Sequence, residues 1–251
     1  MEDVVLSTDA DVDAEIARLG ARHKAAGGLG ISLLNQLGAR ADGLLTRLPQ
    51  PVRDGLTDAT LVALQQAVRV ADGSRAILPD QSARMNQIMG AGLGAAGGVG
   101  GLPSALAELP VTTTFLLRVI QGVAQQEGFN PREEGVRFDC VQVFASAGPL
   151  AQDDDADMGF LAARVALQGT AMQALLAKIA PRLATVLGQK IAAQSVPLLG
   201  AVAGASTNYV FTKYYTEMAH VHFGLRRLAG DTGVPPEQLK RQLAAVLGHR
   251  L

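Results

Sequence analysis

The stretch that decides the fold is MGAGLGAAGGVGGLPSALAELP, Met89 to Pro110. Seven glycines occur between positions 90 and 101, and no charged residue occurs from position 85 to position 107. Some of these glycines recur at a spacing of four, at Gly90, Gly94 and Gly98. Residues spaced by four share one face of an α-helix, and a face of small residues lets a second backbone approach closely. The spacing therefore predicts a helix that packs through a glycine face.

A second stretch repeats this pattern. Residues 191–212, IAAQSVPLLGAVAGASTNYVFT, are also uncharged and contain Gly200 and Gly204. Both runs reach the roughly 20 residues that span a bilayer, but glycine and proline make them only mildly hydrophobic and weakly helical. Three interpretations stay open: a buried hairpin of a protein core, a hairpin that contacts or enters a membrane reversibly, and a permanent membrane span.

The composition favours an all-α fold. Aromatic residues make up 4% of the chain and tryptophan is absent, so the core must be built from Ala, Leu, Val and Gly. Such residues suit closely packed helices better than sheets, and no segment alternates polar and apolar residues over a strand's length. We predict a single-domain helical bundle with two glycine-rich apolar hairpins, divided into an acidic N-terminal segment, 1–20, and a helical domain, 21–251.

Charge and cysteine content restrict the partners and the compartment. The net charge of −1 provides no field that would recruit nucleic acid. Cys140 is the single cysteine, which excludes an intrachain disulfide and favours a small buried residue. The start of the chain is acidic, unlike the basic region of a signal peptide, so we expect a cytoplasmic protein. The excess of arginine over lysine and the abundance of Ala and Gly are typical of a GC-rich bacterial genome.

Periodicity and capping signals predict the helices. Asn130 is the expected N-cap of one helix, with Pro131 at N1, and Thr57 is the expected cap of another. Pro181 is expected to interrupt or kink a long helix, and residues 74–87 are expected to form a connector. The predicted helices cover residues 9–26, 29–48, 55–72, about 103–126, 130 to about 147, about 158–180 with an extension to 194, 206–229, and a last segment from Pro235-Pro236 to Gly248.

The matches to cofactor-binding and metal-binding motifs in this sequence are incomplete. Gly92, Gly94 and Gly97 match GxGxxG, but no strand precedes them, and no Gly-Lys-Ser/Thr occurs in the chain. The acidic cluster at 153–157 lacks the glycine and glutamate of a calcium loop and resembles an acidic helix N-terminus. His220 and His222 point to different faces of one helix. We therefore predict neither a cofactor nor a metal.

Glu108 and Arg118 bracket an apolar run of the fourth predicted helix. Glu108, Thr112 and Phe115 share one face of this helix, and Thr114 shares another with Arg118. A buried Glu108 needs a hydrogen-bond donor, because an unpaired buried charge is costly. The sequence therefore predicts a buried link that holds the hairpin, or a pocket in which Glu108 and Arg118 are the first polar groups.

Three segments together resemble the EcsC family: GGLPSALAELPVTTTFLLR (100–118), FDCVQVFASAGP (138–149) and QSVPLLGAVAGASTNYVFTKYYTEMAHVHFGLRRL (194–228). The resemblance spans residues 20–230. The family takes its name from a bacterial protein encoded beside an ABC transporter, and its biochemical role is not established. The resemblance therefore implies a helical single domain and a context near membranes, and it supplies no catalytic residues.

These observations lead to a functional hypothesis: a non-enzymatic protein that binds a phospholipid or a fatty acyl ligand at the inner face of the cytoplasmic membrane. Loosening or sliding of the glycine faces would expose or enclose apolar surface. The expected polar ligand contacts are Glu108, Thr112, Arg118, Asn208, His220 and Arg226. The expected apolar contacts are Gly90, Gly94, Gly98, Gly200 and Gly204.

Two alternatives come from other functional classes. In the first, the helix 206–229 docks the protein on a membrane transporter as an adaptor. In the second, the protein is a hydrolase in which Glu108 and His220 form an acid–base pair. The sequence gives no oligomeric state.

Overall fold

The structure, a computed structural model, describes residues 9–27, 49–74, 79–146, 169–194 and 199–248. Within these ranges the chain forms eight α-helices and no strand, and the predicted all-α single-domain bundle is confirmed. The helices are α1 (Asp9–Ala26), α2 (Gln50–Ser74), α3 (Ala83–Val99), α4 (Gly101–Gln126), α5 (Glu134–Ser146), α6 (Gly169–Gln194), α7 (Leu199–Thr232) and α8 (Pro236–Leu247).

Helix ends with clear sequence signals lie where the sequence predicts them. α1 has the predicted bounds. α8 runs from Pro236 to Leu247 and is followed by Gly248, whose φ of 84° is left-handed as expected of a glycine that closes a helix. Pro181 lies inside α6, so it does not interrupt this helix, and the alternative of a kink at Pro181 stays a prediction. The predicted helix over 29–48 and the acidic cluster at 153–157 lie outside the described residues.

Two predicted N-caps are wrong. Asn130 does not cap a helix: its side-chain oxygen accepts a hydrogen bond from the amide of Arg132 in a turn, and α5 begins later, at Glu134. An Asn-Pro pair favours such a turn as readily as a helix start. Thr57 lies inside α2, which begins at Gln50, so that Pro51 falls in the first turn where its missing N–H has no cost.

The glycine-rich run is helical almost throughout. α3 begins at Ala83, where Ser82 caps it by accepting a hydrogen bond from the amide of Met85, so the connector predicted over 74–87 is shorter than expected. α3 and α4 form a hairpin that turns at Gly100. The hydroxyl of Ser104 donates to the carbonyl oxygen of Ala96 at 3.0 Å and closes this turn.

α7 is the central helix of the bundle. It packs against α1, α3, α4 and α6, and its pairing with α3 is the most extensive among the described helices. The stripe predicted to face the core is buried; it comprises Tyr214, Met218, Val221, Leu225 and Leu228. α2 packs against α4 and α6, and α8 covers α1. This arrangement leaves α3 and the first half of α4 at one end of the bundle, beside the start of α7.

Candidate functional site

The glycine face of α3 packs directly on the backbone of α7. A Cβ placed on Gly94 would lie 2.5 Å from the carbonyl carbon of Gly204, and one placed on Gly98 would lie 2.5 Å from the amide nitrogen of Ala201. Real Cβ atoms do not approach other atoms so closely, so only glycine fits these positions. We call this contact the glycine seam; its members are Gly90, Gly94, Gly98, Gly200 and Gly204. In this structure, the glycine faces therefore pack on each other.

A buried polar cluster adjoins the seam and consists of Glu108, Thr112 and Asn208. The hydroxyl of Thr112 donates to Oε1 of Glu108 at 2.5 Å, and Nδ2 of Asn208 donates to the same oxygen at 2.8 Å. All three residues are less than one-tenth exposed. These bonds supply the donors that a buried carboxylate requires, and they connect α4 to α7.

A glycine also makes room for the carboxylate of this cluster. A Cβ on Gly97 would lie 2.6 Å from Cδ of Glu108. Gly90 has a similar role for the neighbouring turn, because a Cβ there would lie 3.2 Å from the ring of Phe115. The seam and the polar cluster are thus one packing unit, in which the glycines of α3 admit both the α7 backbone and the Glu108 side chain.

A cavity of about 550 Å³ is bounded by α2, the connector before α3, α3 and α4, and Thr216 of α7 also lines it. We call it the α4 cavity. Its wall is mainly apolar and includes Val70, Met89, Leu93, Pro110, Val111, Phe115, Val119 and Val123. Arg118 and Asp80 also line it, with Nη2 of Arg118 3.3 Å from Oδ1 of Asp80. Arg118 is the one predicted ligand residue that lines this cavity.

The α4 cavity is continuous with exposed apolar surface. Three of its lining residues are also largely exposed: Val70 (55%), Met89 (44%) and Val111 (51%). They come from α2, α3 and α4, so each of these helices places an apolar side chain where the cavity meets the surface. On α3 the exposed apolar surface extends to Met85 and Ile88. An apolar cleft that opens onto apolar surface is typical of a ligand site or an interaction site.

Two predicted ligand residues lie elsewhere. Nδ1 of His220 donates to Oε1 of Glu127 at 2.7 Å, and Arg226 forms an ion pair with Asp139 at 2.5 Å. His220 follows Asn208 by twelve residues on α7, which is a rise of about 18 Å along the helix. Because Asn208 binds Glu108, the structure does not bring Glu108 and His220 together as an acid–base pair.

Comparison with protein families identifies the family to which the chain belongs. The EcsC protein family matches residues 44–228, well over half of the sequence. The chain belongs to the EcsC family. The EcsC region contains the glycine seam, the polar cluster and the α4 cavity. No curated protein and no solved structure matches the chain.

An ion-pair network within the EcsC region and α1 holds His220. The carboxylate of Glu127 accepts hydrogen bonds from His220 and from Nε of Arg227 (3.1 Å), and Arg227 also binds Glu15 of α1 at 2.7 Å. The hydrogen bond from His220, with that from Arg227, keeps the pKa of Glu127 below its ordinary value. The pKa of Glu15 is lowered too, first by its hydrogen bond from Arg18. The network ties α1 and the end of α4 to α7.

Sequence reasoning missed several of these residues. Glu127 and Asp139 are separated from their partners on α7 by about 90 residues, and no local pattern marks the pairing. Asp80 falls in the predicted connector, where no sequence pattern marks it. One signal was available: the adjacent Arg226 and Arg227 lie on a helix with an apolar stripe, and arginines beside a core require acidic partners.

The described part of this EcsC chain offers neither a metal site nor a membrane span. His, Cys, Asp and Glu side chains there form no group of three or more that could hold a metal ion. No described helix has both the length and the apolar character needed to cross a bilayer. Cys140 is buried in the core.

Proposed function

We propose that this EcsC protein is a lipid-binding protein that holds an acyl chain in the α4 cavity. The observation that carries the proposal is an apolar cavity of about 550 Å³ whose three walls end in exposed Val70, Met89 and Val111. Small-molecule sites are typically clefts of roughly 300–1,000 Å³ with apolar walls. Each methylene buried in such a site contributes about 0.8 kcal/mol to binding, so burial of one acyl chain provides enough free energy for binding.

The proposal includes contact with the inner face of the cytoplasmic membrane through α3. Exposed apolar side chains occur along this helix at Met85, Ile88, Met89 and Val99, and no charged residue follows Arg84 until Glu108. Insertion of these side chains between lipid head groups would bring the cavity mouth to the acyl chains. Because the contact is apolar, we expect it to depend little on salt concentration.

The acyl chain is assigned to the α4 cavity and not to the glycine seam. The backbones of α3 and α7 leave no space between them at Gly94 and Gly98. The hypothesis drawn from the sequence, in which the glycine faces separate to admit a lipid, would also require breaking the bonds from Thr112 and Asn208 to Glu108. The α4 cavity requires no such opening.

The two alternatives gain no specific support from the described residues. The apolar stripe of α7, on which an adaptor would dock, is buried in the bundle. The acid–base pair of a hydrolase is not formed, because His220 binds Glu127. Lipid binding is therefore the function for which a cavity of suitable chemistry exists.

The proposal is tested by cavity filling. Purified protein is extracted with organic solvent for lipid mass spectrometry, and it is floated with protein-free vesicles of phosphatidylethanolamine and phosphatidylglycerol. Gly122 lines the cavity, and a Cβ there would meet Asp80 only at ordinary contact distance (3.5 Å), so Gly122→Leu should place its branched end in the cavity. Gly55→Leu is the matched control, since a Cβ there meets nothing within 4 Å.

We expect co-purified lipid from the wild type and from Gly55→Leu, and its loss from Gly122→Leu without loss of helical circular dichroism. A wild-type protein that carries no lipid and stays unbound with every vesicle mixture would overturn the proposal. If flotation instead required an added membrane protein in the vesicles, the adaptor alternative would replace it.

A further inference from the structure

The charged groups that line the α4 cavity lie toward one of its ends. From the connector into α3, the lining residues are Asp80, Gln81 and Asn86, followed by Met89 and Leu93. Along α4, read from its C-terminal end, they are Gln126, Val123, Gly122, Val119, Arg118, Phe115, Thr114, Val111 and Pro110. The charged side chain therefore lies in the first half, and the second half has only the hydroxyl of Thr114 as a polar group.

The charged side chains of the two segments lie at the same end of the cavity. α3 and α4 are the arms of a hairpin that turns at Gly100, so residues at equal distances from Gly100 lie side by side. Met89 and Val111 are both eleven residues from the turn, and Asp80 lies against Gly122. The cavity therefore has a polar end at Asp80 and Arg118 and an apolar end at Met89 and Pro110. A ligand that matches it has a polar head and an apolar tail.

The polar end carries one charge of each sign among the described lining residues. Arg118 and Asp80 are within ion-pair distance, and their side chains are 13% and 27% exposed. Arg118 is thus largely buried, Asp80 is partly exposed to solvent, and both border the cavity. Arginine binds phosphate oxygens through two parallel N–H groups, and a carboxylate accepts hydrogen bonds from an ammonium group.

We propose that the cavity selects a zwitterionic phospholipid head group, with its phosphate on Arg118, its ammonium on Asp80 and one acyl chain directed toward Met89 and Pro110. This inference rests on the proposed lipid-binding function and adds the class of lipid. An anionic head group would compete with Asp80 for the guanidinium and bring a second negative charge beside that carboxylate. A zwitterion brings its own cation to Asp80, so the charges of the site stay balanced.

The test measures head-group preference with single-chain lipids of equal acyl length. Lysophosphatidylethanolamine and lysophosphatidylglycerol are titrated, below their micelle concentrations, into the full-length protein by calorimetry. We expect the wild type to prefer the zwitterion by about fivefold, the size expected of one partly exposed charge pair. Asp80→Asn should abolish or reverse this preference, because it removes both the partner of the ammonium group and the repulsion of the anionic lipid. Arg118→Gln should weaken the binding of both lipids.

The matched controls are Asp139→Asn and Arg226→Gln, which alter an ion pair on α5 and α7 that does not line the cavity. They should leave both affinities unchanged. Equal affinity of the wild type for the two lipids, or an unchanged ratio in Asp80→Asn, would overturn the head-group inference while leaving lipid binding intact. Binding of neither lipid to the wild type would refute both proposals. The ratio of the two lipid affinities in the wild type tests the head-group inference even if a variant fails to fold.

Discussion

The backbone of Gly94 faces the carbonyl group of Gly204 so closely that a Cβ on Gly94 would lie 2.5 Å from the carbonyl carbon. This contact explains how a segment rich in glycine is helical. Glycine costs roughly 1 kcal/mol per residue in a helix interior relative to alanine. In proteins most helix stability comes from tertiary packing, and two glycine faces allow closer packing than side chains would.

The first prediction concerns this contact. Gly94→Ala should lower the free energy of unfolding by about 1–3 kcal/mol, because the added methyl group forces α3 and α7 apart. Gly92→Ala is the matched control on the same helix, since a Cβ there meets nothing within 4 Å. It should raise stability by about 0.5–1 kcal/mol through helix propensity alone. Urea unfolding measures both; stabilisation by both variants would show that the seam is not tight.

The second prediction concerns the buried carboxylate. Thr112→Val removes a donor to Glu108 and should lower the free energy of unfolding by about 1–3 kcal/mol, because a buried acceptor loses a partner. Thr114→Val is the control. The hydroxyl of Thr114 donates only to the carbonyl oxygen of Pro110 in the same helix, so its loss should matter little. Thermal unfolding compares the variants, and equal losses would contradict the role of the polar cluster.

The sequence predicts those features that depend on neighbouring residues. The spacing of Gly90, Gly94 and Gly98 indicates a packing face, and Gly248 marks the end of a helix, because both signals act within a few turns. The requirement of a donor for Glu108 also follows from chemistry alone, and Thr112, one turn away, is an evident candidate.

Features that depend on distant residues are not predictable in this way. Asn208, the second donor to Glu108, lies 100 residues further along the chain. The α4 cavity is lined by residues of α2, the connector before α3, α3, α4 and α7, and their adjacency depends on how these helices pack. Asn130 shows a local limit as well, because Asn-Pro starts both turns and helices, and in this chain Asn130 lies in a turn.

The third prediction concerns acid stability. The pKa of Glu127 is lowered in the folded protein, first by the hydrogen bond from His220, so its ionised form stabilises the fold. This contribution is present above the unfolded pKa, about 4.3, and is lost as the pH falls through the lower folded value. Glu127→Gln should therefore cost about 1–3 kcal/mol at pH 7 and less in acid, as measured by urea unfolding at several pH values.

The control for this effect is Glu237→Gln. Glu237 forms a surface pair with Lys240, and its side chain is 59% exposed, so its replacement should change stability by less than about 1 kcal/mol at any pH. A cost of Glu127→Gln that stays constant down to pH 3 would show that the ionised carboxylate contributes nothing specific.

The fourth prediction concerns the membrane contact of α3. Ile88 is 55% exposed beside the cavity mouth but does not line the cavity, so its replacement leaves the ligand site unchanged. Ile88→Asp removes an apolar side chain and adds a charge where lipid is expected. Because burial of such a side chain contributes about 1.5–3 kcal/mol, partitioning to vesicles should fall by about tenfold or more.

Val246→Asp is the control for the membrane contact, because Val246 is similarly exposed (41%) but lies on α8, which covers α1. Flotation should show wild-type partitioning for this variant, and raising the salt concentration should change the binding of the wild type little, since the contact is apolar. Equal losses from the two variants would show that any added negative charge weakens binding. Release of the wild type by salt would point to an electrostatic contact through another surface, and either result would contradict docking through α3.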